Sequence, residues 1–387
     1  MEGGIAVNAT SLRQAGRFVR QPQGYRAFIP APLPPTPGLI FDAELVNRLG
    51  MATTAIGRLD GVARMLPNPD LFVAMYVRRE AVLSSQIEGT QSTLDDILTY
   101  EVSPRADALP ADVGEVVNYI HAMNYGLDRL ADLPLSLRLL REIHGVLLDG
   151  VRGGSKTPGE FRTTQNWIGS AGPRGLDDAT FVPPPPHEMR AALDNFEHFL
   201  WDGAPLHPLL ACGVAHAQFE TIHPFLDGNG RVGRLLITFM LCHDGVLRGP
   251  LLYLSHYLKL HRLEYYDRLM AVRTNGDWEG WISFFLDGVR FVAEEAEDTA
   301  GRIVELREQI RLEAGQGGIT ATGLTLVDQL FERPIINVRL AAELLGVSFT
   351  AANTVVARLV ELGILTQMTG GRRNRLFRFD RYLALFD

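Results

Sequence analysis

The stretch HPFLDGNGRVGR, from His223 to Arg234, gathers a histidine, an acid, an amide, three glycines and two arginines into twelve positions. The preceding PLLACGVAHAQFETI repeats apolar residues at helical spacing, so His223 falls at or just after a helix end. Gly228 and Gly230 bracket Asn229 and let the backbone turn sharply enough to bring its NH groups to an anion. A strongly apolar pattern resumes in GRVGRLLITFMLCH, which places the loop at the N-terminus of a second helix. There, free NH groups and the helix dipole favour phosphate. Arg231 and Arg234, three apart, share a face of that helix, and two cations at its positive end ask for a polyphosphate. Asp227 is a hard carboxylate beside those phosphates and suits Mg2+, which takes few protein carboxylates and completes its shell with substrate oxygens and water. His223 is the nearby group able to take a proton at neutral pH. A His-Pro pair, a Gly-Asn-Gly turn or two spaced arginines each has an ordinary structural explanation alone. Together they do not, because the segment offers only Phe225, Leu226 and Val232 to a core.

These residues resemble the Fic family motif, HxFx(D/E)GNGRxxR, matched by His223, Phe225, Asp227, Gly228, Asn229, Gly230, Arg231 and Arg234 without departure. The likeness implies a mainly α fold, with a Fic helical core that carries the loop between two helices and a β-hairpin flap over the site. The expected flap is NWIGSAGPRG, opening with Asn166, Trp167, Ile168 and Gly169; it lies in a Gly- and Pro-rich region, 151–187, that reads independently as a hairpin or flap. The resemblance also implies transfer of AMP from ATP to a hydroxyl side chain of a target protein, which docks along that flap. His223 would deprotonate the incoming Ser, Thr or Tyr, and Asp227 would hold Mg2+ on the phosphates. Arg231, Arg234 and the backbone from Gly228 to Gly230 would bind the phosphates as pyrophosphate leaves. Tyr266 resembles a tyrosine that lines the adenine pocket, with Asn275 a weaker match at shifted spacing. Phe225 is expected to anchor the loop in the core.

A second stretch, LSSQIEGTQS, places Ser84 and Glu88 four apart on one helical face, with Gly89 ending the helix. It resembles the inhibitory motif (S/T)xxxE(G/N) of many Fic proteins, matched by Ser84, Glu88 and Gly89. By that resemblance Glu88 reaches Arg234 and competes with a phosphate for one guanidinium. In some relatives the same glutamate assists removal of AMP.

The 387 residues are 46% hydrophobic, enough for sizeable cores and more than one domain, and the net charge of −8 argues against wholesale nucleic-acid coating. No metal-ligand spacing surrounds Cys212 and Cys242, which sit in apolar helical patterns and read as buried, reduced thiols. With no basic segment leading into an apolar run and no long uncharged apolar stretch, the expectation is a cytoplasmic protein without a membrane span. Five regions are expected: an extended Pro-rich arm, 1–38, with six prolines in 21–38; an N-terminal helical region with the inhibitory motif, 39–110; the catalytic core, 111–290; a long solvated helix as linker, 291–318; and a C-terminal domain, 319–387. Trp278, Trp281, Phe284 and Phe285 are expected in the core.

The C-terminal region, NVRLAAELLGVSFTAANTVVARLVELGIL followed by MTGGRRNRLFRF, reads as a winged helix-turn-helix. From Arg333 onward there are eight arginines and four acids, five of those arginines between 372 and 381. DNA contact through the wing and the helix bearing Thr350, Asn353, Thr354 and Arg358 is balanced by dimerisation or target docking, because that helix is poor in basic residues. The chain thus reads as an autoinhibited adenylyltransferase using ATP and Mg2+. The alternatives are a DNA-binding regulator whose Fic portion senses a nucleotide, or transfer or removal of another nucleotide, from UTP or a choline-bearing donor. A homodimer is the commonest assembly for such a chain.

Overall fold

The structure, a computed structural model, describes residues 14–65, 69–104, 109–169, 175–202, 205–368 and 375–386. A hairpin (β1, Gly16–Arg20; β2, Arg26–Pro30) precedes three helices, α1 (Ala43–Met65), α2 (Pro69–Ile87) and α3 (Leu94–Val102). The middle of the chain forms α4 (Val113–Arg129), α5 (Leu137–Leu147), α6 (Pro186–Asp202), α7 (Pro208–Ile222), α8 (Asn229–His243), α9 (Ser255–Leu260), α10 (Arg262–Asn275) and α11 (Trp278–Gln316). The last part runs α12 (Ala321–Gln329), β3 (Ile335–Asn337), α13 (Val338–Leu345), α14 (Phe349–Glu361), β4 (Thr366–Gln367), β5 (Leu376–Arg378) and α15 (Asp380–Leu383).

Helices α7 and α8 form the centre. Every residue of α7 from Leu209 through Ile222 except Ala211 is buried, which follows from a sequence apolar on all sides. The α8 helix is likewise enclosed, by α2, α4, α5 and α7. His216 cross-links the layer, with Nδ1 against Gly233 O at 2.9 Å and Nε2 against the Tyr265 hydroxyl at 2.9 Å. Beneath α7, Trp281 donates from Nε1 to Gly213 O at 2.8 Å; Ile282 and Phe285 crowd the space a side chain at Gly213 would need. Trp278, Trp281, Phe284 and Phe285 are all core residues.

The sequence expectation of a solvated linker at 291–318 is corrected. That stretch continues α11, a single helix of 39 residues, and packs along α1. Ala293, Ala296, Ala300, Ile303, Ile310 and Ala314 are buried at three- and four-residue spacing. Alanine buries little area, so the face is quiet in a hydropathy pattern while allowing close helix approach. Within the Pro-rich arm, Gly16–Arg20 and Arg26–Pro30 are extended and pair as β1–β2 in register Gly16↔Pro30. Past the hairpin, Leu33 exchanges two hydrogen bonds with the Asn195 amide of α6, at 2.7 and 3.1 Å. Cys212 is buried and Cys242 half-buried; both are free thiols. Among the described residues, no single helix is long and apolar enough to cross a membrane.

At the C-terminal end, α13 and α14 meet at 110° around Gly346, and β3, β5 and β4 form an antiparallel sheet in that order. Arg372 and Arg373, expected in the wing, lie outside the described residues. The lobe is joined to the rest by ion pairs: Arg381 with Glu313 of α11 at 2.6 Å, and Arg378 with Asp95 of α3 at 3.0 Å. Phe386 also packs edge-on against Tyr76 of α2, with ring centroids 5.6 Å apart.

Candidate active site

His223 ends α7 in the left-handed conformation, φ 49° and ψ 61°, which turns the chain out of the helix. Two carbonyls at that helix end need donors, and Arg162 supplies them while also holding the segment before α6. Its buried guanidinium donates to His223 O at 2.9 Å, Ile222 O at 3.3 Å and Pro184 O at 2.5 Å. The loop then closes on itself: the Asn229 side chain accepts from Phe225 N and donates to Phe225 O, both at 2.8 Å. Phe225 is fully buried, stacked on His144 at 3.8 Å with rings 7° from parallel, as its expected anchoring role requires. His144 in turn accepts from Gly159 N at its Nδ1, 2.9 Å away, so its proton resides on Nε2 and is donated to Asp227 O at 3.0 Å. Gly228, φ 77°, is the N-cap of α8 and its NH donates to Asp227 Oδ1 at 2.6 Å.

Both arginines of the motif are buried and held. Arg231 pairs with Glu115 of α4 at 3.3 Å and lies 3.9 Å from Asp227, while its Nε has no partner. Arg234 donates from Nε to Ser84 Oγ at 2.7 Å, and from one terminal nitrogen to Ser84 O at 2.9 Å and Glu88 Oε1 at 2.7 Å. Ser84 on the last turn of α2 and Glu88 in the turn just beyond it thus both meet Arg234, and Gly89 follows with φ 98°. One turn earlier on the same stripe, buried Glu80 accepts from Tyr119 of α4 at 3.0 Å and from Ser255 at the start of α9. A Cβ at Gly230 would meet Glu88 Oε1, so any side chain there would displace the Glu88 carboxylate.

Glu88, Glu220, His223, Gly230 and Arg234 line a cavity of about 410 Å³ together with Ile168, Gly169, Thr180, Phe181, Tyr265, Tyr266, Leu269 and Arg273, whereas Asp227, Gly228, Asn229 and Arg231 are not part of its wall. Tyr266, 39% exposed, stands at its wall. Asn275 does not; it is exposed at the end of α10, and the residues of that helix lining the cavity are Arg262, Tyr265, Tyr266, Leu269, Met270 and Arg273. In the flap, Ile168 pairs with Phe181 in one antiparallel bridge, Gly169 borders the cavity and Trp167 is 45% exposed. The flap is therefore narrower than a hairpin ladder among the described residues, residues 170–174 lying outside them. Asn166 is buried, its amide donating to Phe225 O at 2.8 Å and His223 O at 3.2 Å, so it braces the loop and is not open to a target.

The charges of the site follow from burial and cations. Burial, then Arg273 and Arg162, push the His223 imidazole down to about 3, keeping it neutral. Burial raises Glu88, but the adjacent Arg234 outweighs it and holds that carboxyl below its usual range. Burial lowers Arg234, and Glu88 with its neighbours more than reverses this. Sequence reading misses His144, Arg162, Glu220 and Arg273. His144, Arg162 and Arg273 act on backbone far along the chain, which no local pattern marks, whereas Glu220 stands only three residues before His223.

Comparison with known proteins agrees with this geometry. Residues 46–128 match the Fic/DOC family N-terminal region, and residues 134–241 match the Fic/DOC family itself, which contains the whole loop. The chain belongs to the Fic/DOC family. Protein adenylyltransferase Fic of Drosophila grimshawi is 30% identical over 209 residues, 52% of this Fic chain and 39% of that protein. Its namesake from Culex quinquefasciatus is 34% identical over 158 residues, 40% and 27% of the two chains. This Fic chain therefore spans well under half the length of those curated relatives. A Fic family protein from Desulfovibrio desulfuricans G20 shares the fold with TM-score 0.59 at 21% identity, covering 88% of this chain and 97% of that one.

Proposed function

We propose that this Fic protein transfers AMP from ATP to a hydroxyl side chain of a protein, itself included, and that Glu88 restrains the reaction. The observation that carries the reading is the convergence of His223, Gly230, Arg234 and Tyr266 on one cavity. That cavity has a nucleotide's chemistry, anion-binding at one end and aromatic at the other. The neutral His223 takes the hydroxyl proton, and the oxygen attacks the α-phosphorus. Arg231, Arg234 and the NH groups at the start of α8 offset the charge that gathers on the departing pyrophosphate.

Asp227 fits a Mg2+ site of the one-carboxylate kind. Its side chain is 41% exposed, Gly228 N occupies one oxygen, and Oδ2 faces the side of Gly153. No three metal-ligating side chains gather among the described residues, so the remaining ligands would come from phosphates and water. Bound there, the cation would neutralise phosphate charge. His144 holds the Asp227 carbonyl and hence the carboxylate's position.

The restraint is competition. Glu88 occupies the Arg234 nitrogen that a γ-phosphate needs, and Ser84 fixes that guanidinium from behind. Incubation of wild type, Glu88→Gly and His223→Ala with ATP and Mg2+, read by intact mass, tests both points. The expected result is a gain of one AMP in Glu88→Gly, little in wild type and none in His223→Ala. No gain in any of the three, with cell lysate supplied as target, removes the transferase reading.

For the C-terminal lobe we read a winged helix, on the 110° crossing of α13 and α14 and the adjoining sheet. Docking of protein suits it better than DNA, because the cations near its exposed helix are already engaged. Arg358 binds Gly317 O and Glu361, and Arg375 donates to Asn353. Salt-dependent binding of DNA fragments, lost in Arg372→Ala/Arg373→Ala, would reverse that preference.

A further inference from the structure

Two buried polar atoms on adjoining parts of the cavity wall have no partner, Glu220 Oε1 and His223 Nδ1. They belong together. Glu220 sits on the last turn of α7, three residues before His223, and the left-handed turn at His223 leaves Nδ1 3.9 Å from Glu220 Oε2. Gly233 of α8 lies against the same carboxyl, where an added Cβ would come within 2.6 Å of Oε1. The carboxyl is only 6% exposed, and its backbone carbonyl also faces the imidazole.

A base acting through Nε2 needs its proton on Nδ1 and a partner for the cation that forms. The geometry points to Glu220 as a positioning residue for His223: its carboxylate holds the Nδ1–H tautomer and stabilises the imidazolium formed as the hydroxyl proton moves to Nε2. This rests on the transferase reading above. In the step, the O–H electron pair forms the new O–P bond at the α-phosphorus. The bond from that phosphorus to the bridging oxygen breaks, its electrons leave with pyrophosphate, and the proton stays on Nε2 until solvent takes it.

The groups facing Glu220 make its ionisation responsive. Arg234 faces it from α8, Glu88 from α2, Arg273 and Tyr265 from α10, and His216 lies on α7 itself, with Arg162 behind His223. Burial is the largest influence and raises the carboxyl to about 7; Arg234 and Arg273 pull it down and Glu88 pushes it up. Ionisation of this one side chain thus falls in the range where the enzyme would work.

The experiment uses the full chain with Glu88→Gly as parent, alone and combined with His223→Ala or the near-isosteric Glu220→Gln, and follows automodification against pH. The parent rate should rise with pH around 7. Glu220→Gln should lose roughly 10–100-fold in rate, part of what a general base contributes, with KM for ATP unchanged and the rise near pH 7 absent. A Glu220→Gln rate and pH profile matching the parent overturns the assignment. An inactive parent, or full activity in His223→Ala, instead overturns the transferase reading. Should Glu220→Gln fail to fold, imidazole nitrogen NMR of the folded parent decides: a His223 Nδ1–H tautomer whose shifts step near pH 7 supports the pairing, and no step removes it.

Discussion

At the scale of single residues, the site is built from groups that would be costly if left alone. Arg234 is buried and its charge is met by Glu88. Glu88 itself stands partly in solvent, and leaving the buried Arg234 donor without that partner typically costs about 1–3 kcal/mol. Glu88→Gly should therefore melt below wild type without ligand and regain more than wild type when ATP and Mg2+ are added, because a phosphate restores the partner. Thermal unfolding with and without nucleotide checks this; equal ligand shifts in the two proteins would contradict it. His144→Phe keeps the stack on Phe225 but strands Gly159 N and Asp227 O, each a loss of about 1–3 kcal/mol. It should lower the melting temperature and raise the Mg2+ concentration needed for half-maximal automodification in the Glu88→Gly background.

The difference between these residues also explains what can be read without coordinates. His223, Asp227, Arg231 and Arg234 are legible because the loop's chemistry is contiguous, and Ser84 with Glu88 because a helix puts i and i+4 on one side. His144 lies 83 residues from the carbonyl it holds, and Arg162 61 residues from His223, so their roles arise only from the fold. Asn166 shows the opposite failure: the sequence locates the flap position, but whether its side chain faces a target or the loop depends on packing.

Among the elements, α2 holds the most consequential position. One stripe of it, Glu80, Ser84 and Glu88, ties it to α4, α9 and Arg234, while its other end meets the C-terminal lobe. The following α3 is fixed at its start by a capping box between Thr93 and Asp96 and reaches Arg378 through Asp95. Loosening that contact should relax the helix pair bearing the brake. Arg378→Ala is expected to raise wild-type automodification modestly, by a few-fold, and to leave the already released Glu88→Gly rate unchanged. An equal change in both would place the effect on the chemistry and not on the brake. The long α11 is the least legible element, since an alanine face gives a weak signal in any hydropathy pattern although it packs as closely as a leucine one.

For the whole molecule, buried titrating groups set how stability follows pH. His144 and His216 are lowered to about 4 and His223 to about 3, in each case chiefly by burial. Their contribution is present above the ordinary histidine value near 6.5 and is lost as pH falls towards 4. Glu80 and Glu220 behave in the other sense. Burial raises both to about 7, so their contribution is complete below about 4.5 and is lost as pH rises through 7. Stability should therefore be greatest near pH 6–7 and decline on both sides. Denaturant midpoints across pH 4–9 would show it, and Glu80→Gln should flatten the alkaline side while leaving the acid side in place.

The 39 residues of α11 extend about 58 Å at 1.5 Å per residue. Trp281, near the start, is bonded beneath the helix that ends in His223, and Glu313, near the finish, is paired with Arg381. A rod of that length has leverage: a tilt of about 5° fixed at one end displaces the other by about 5 Å. A partner docked on the C-terminal lobe, as proposed above, would therefore pull on a beam whose far end is bolted beneath the helix that carries His223.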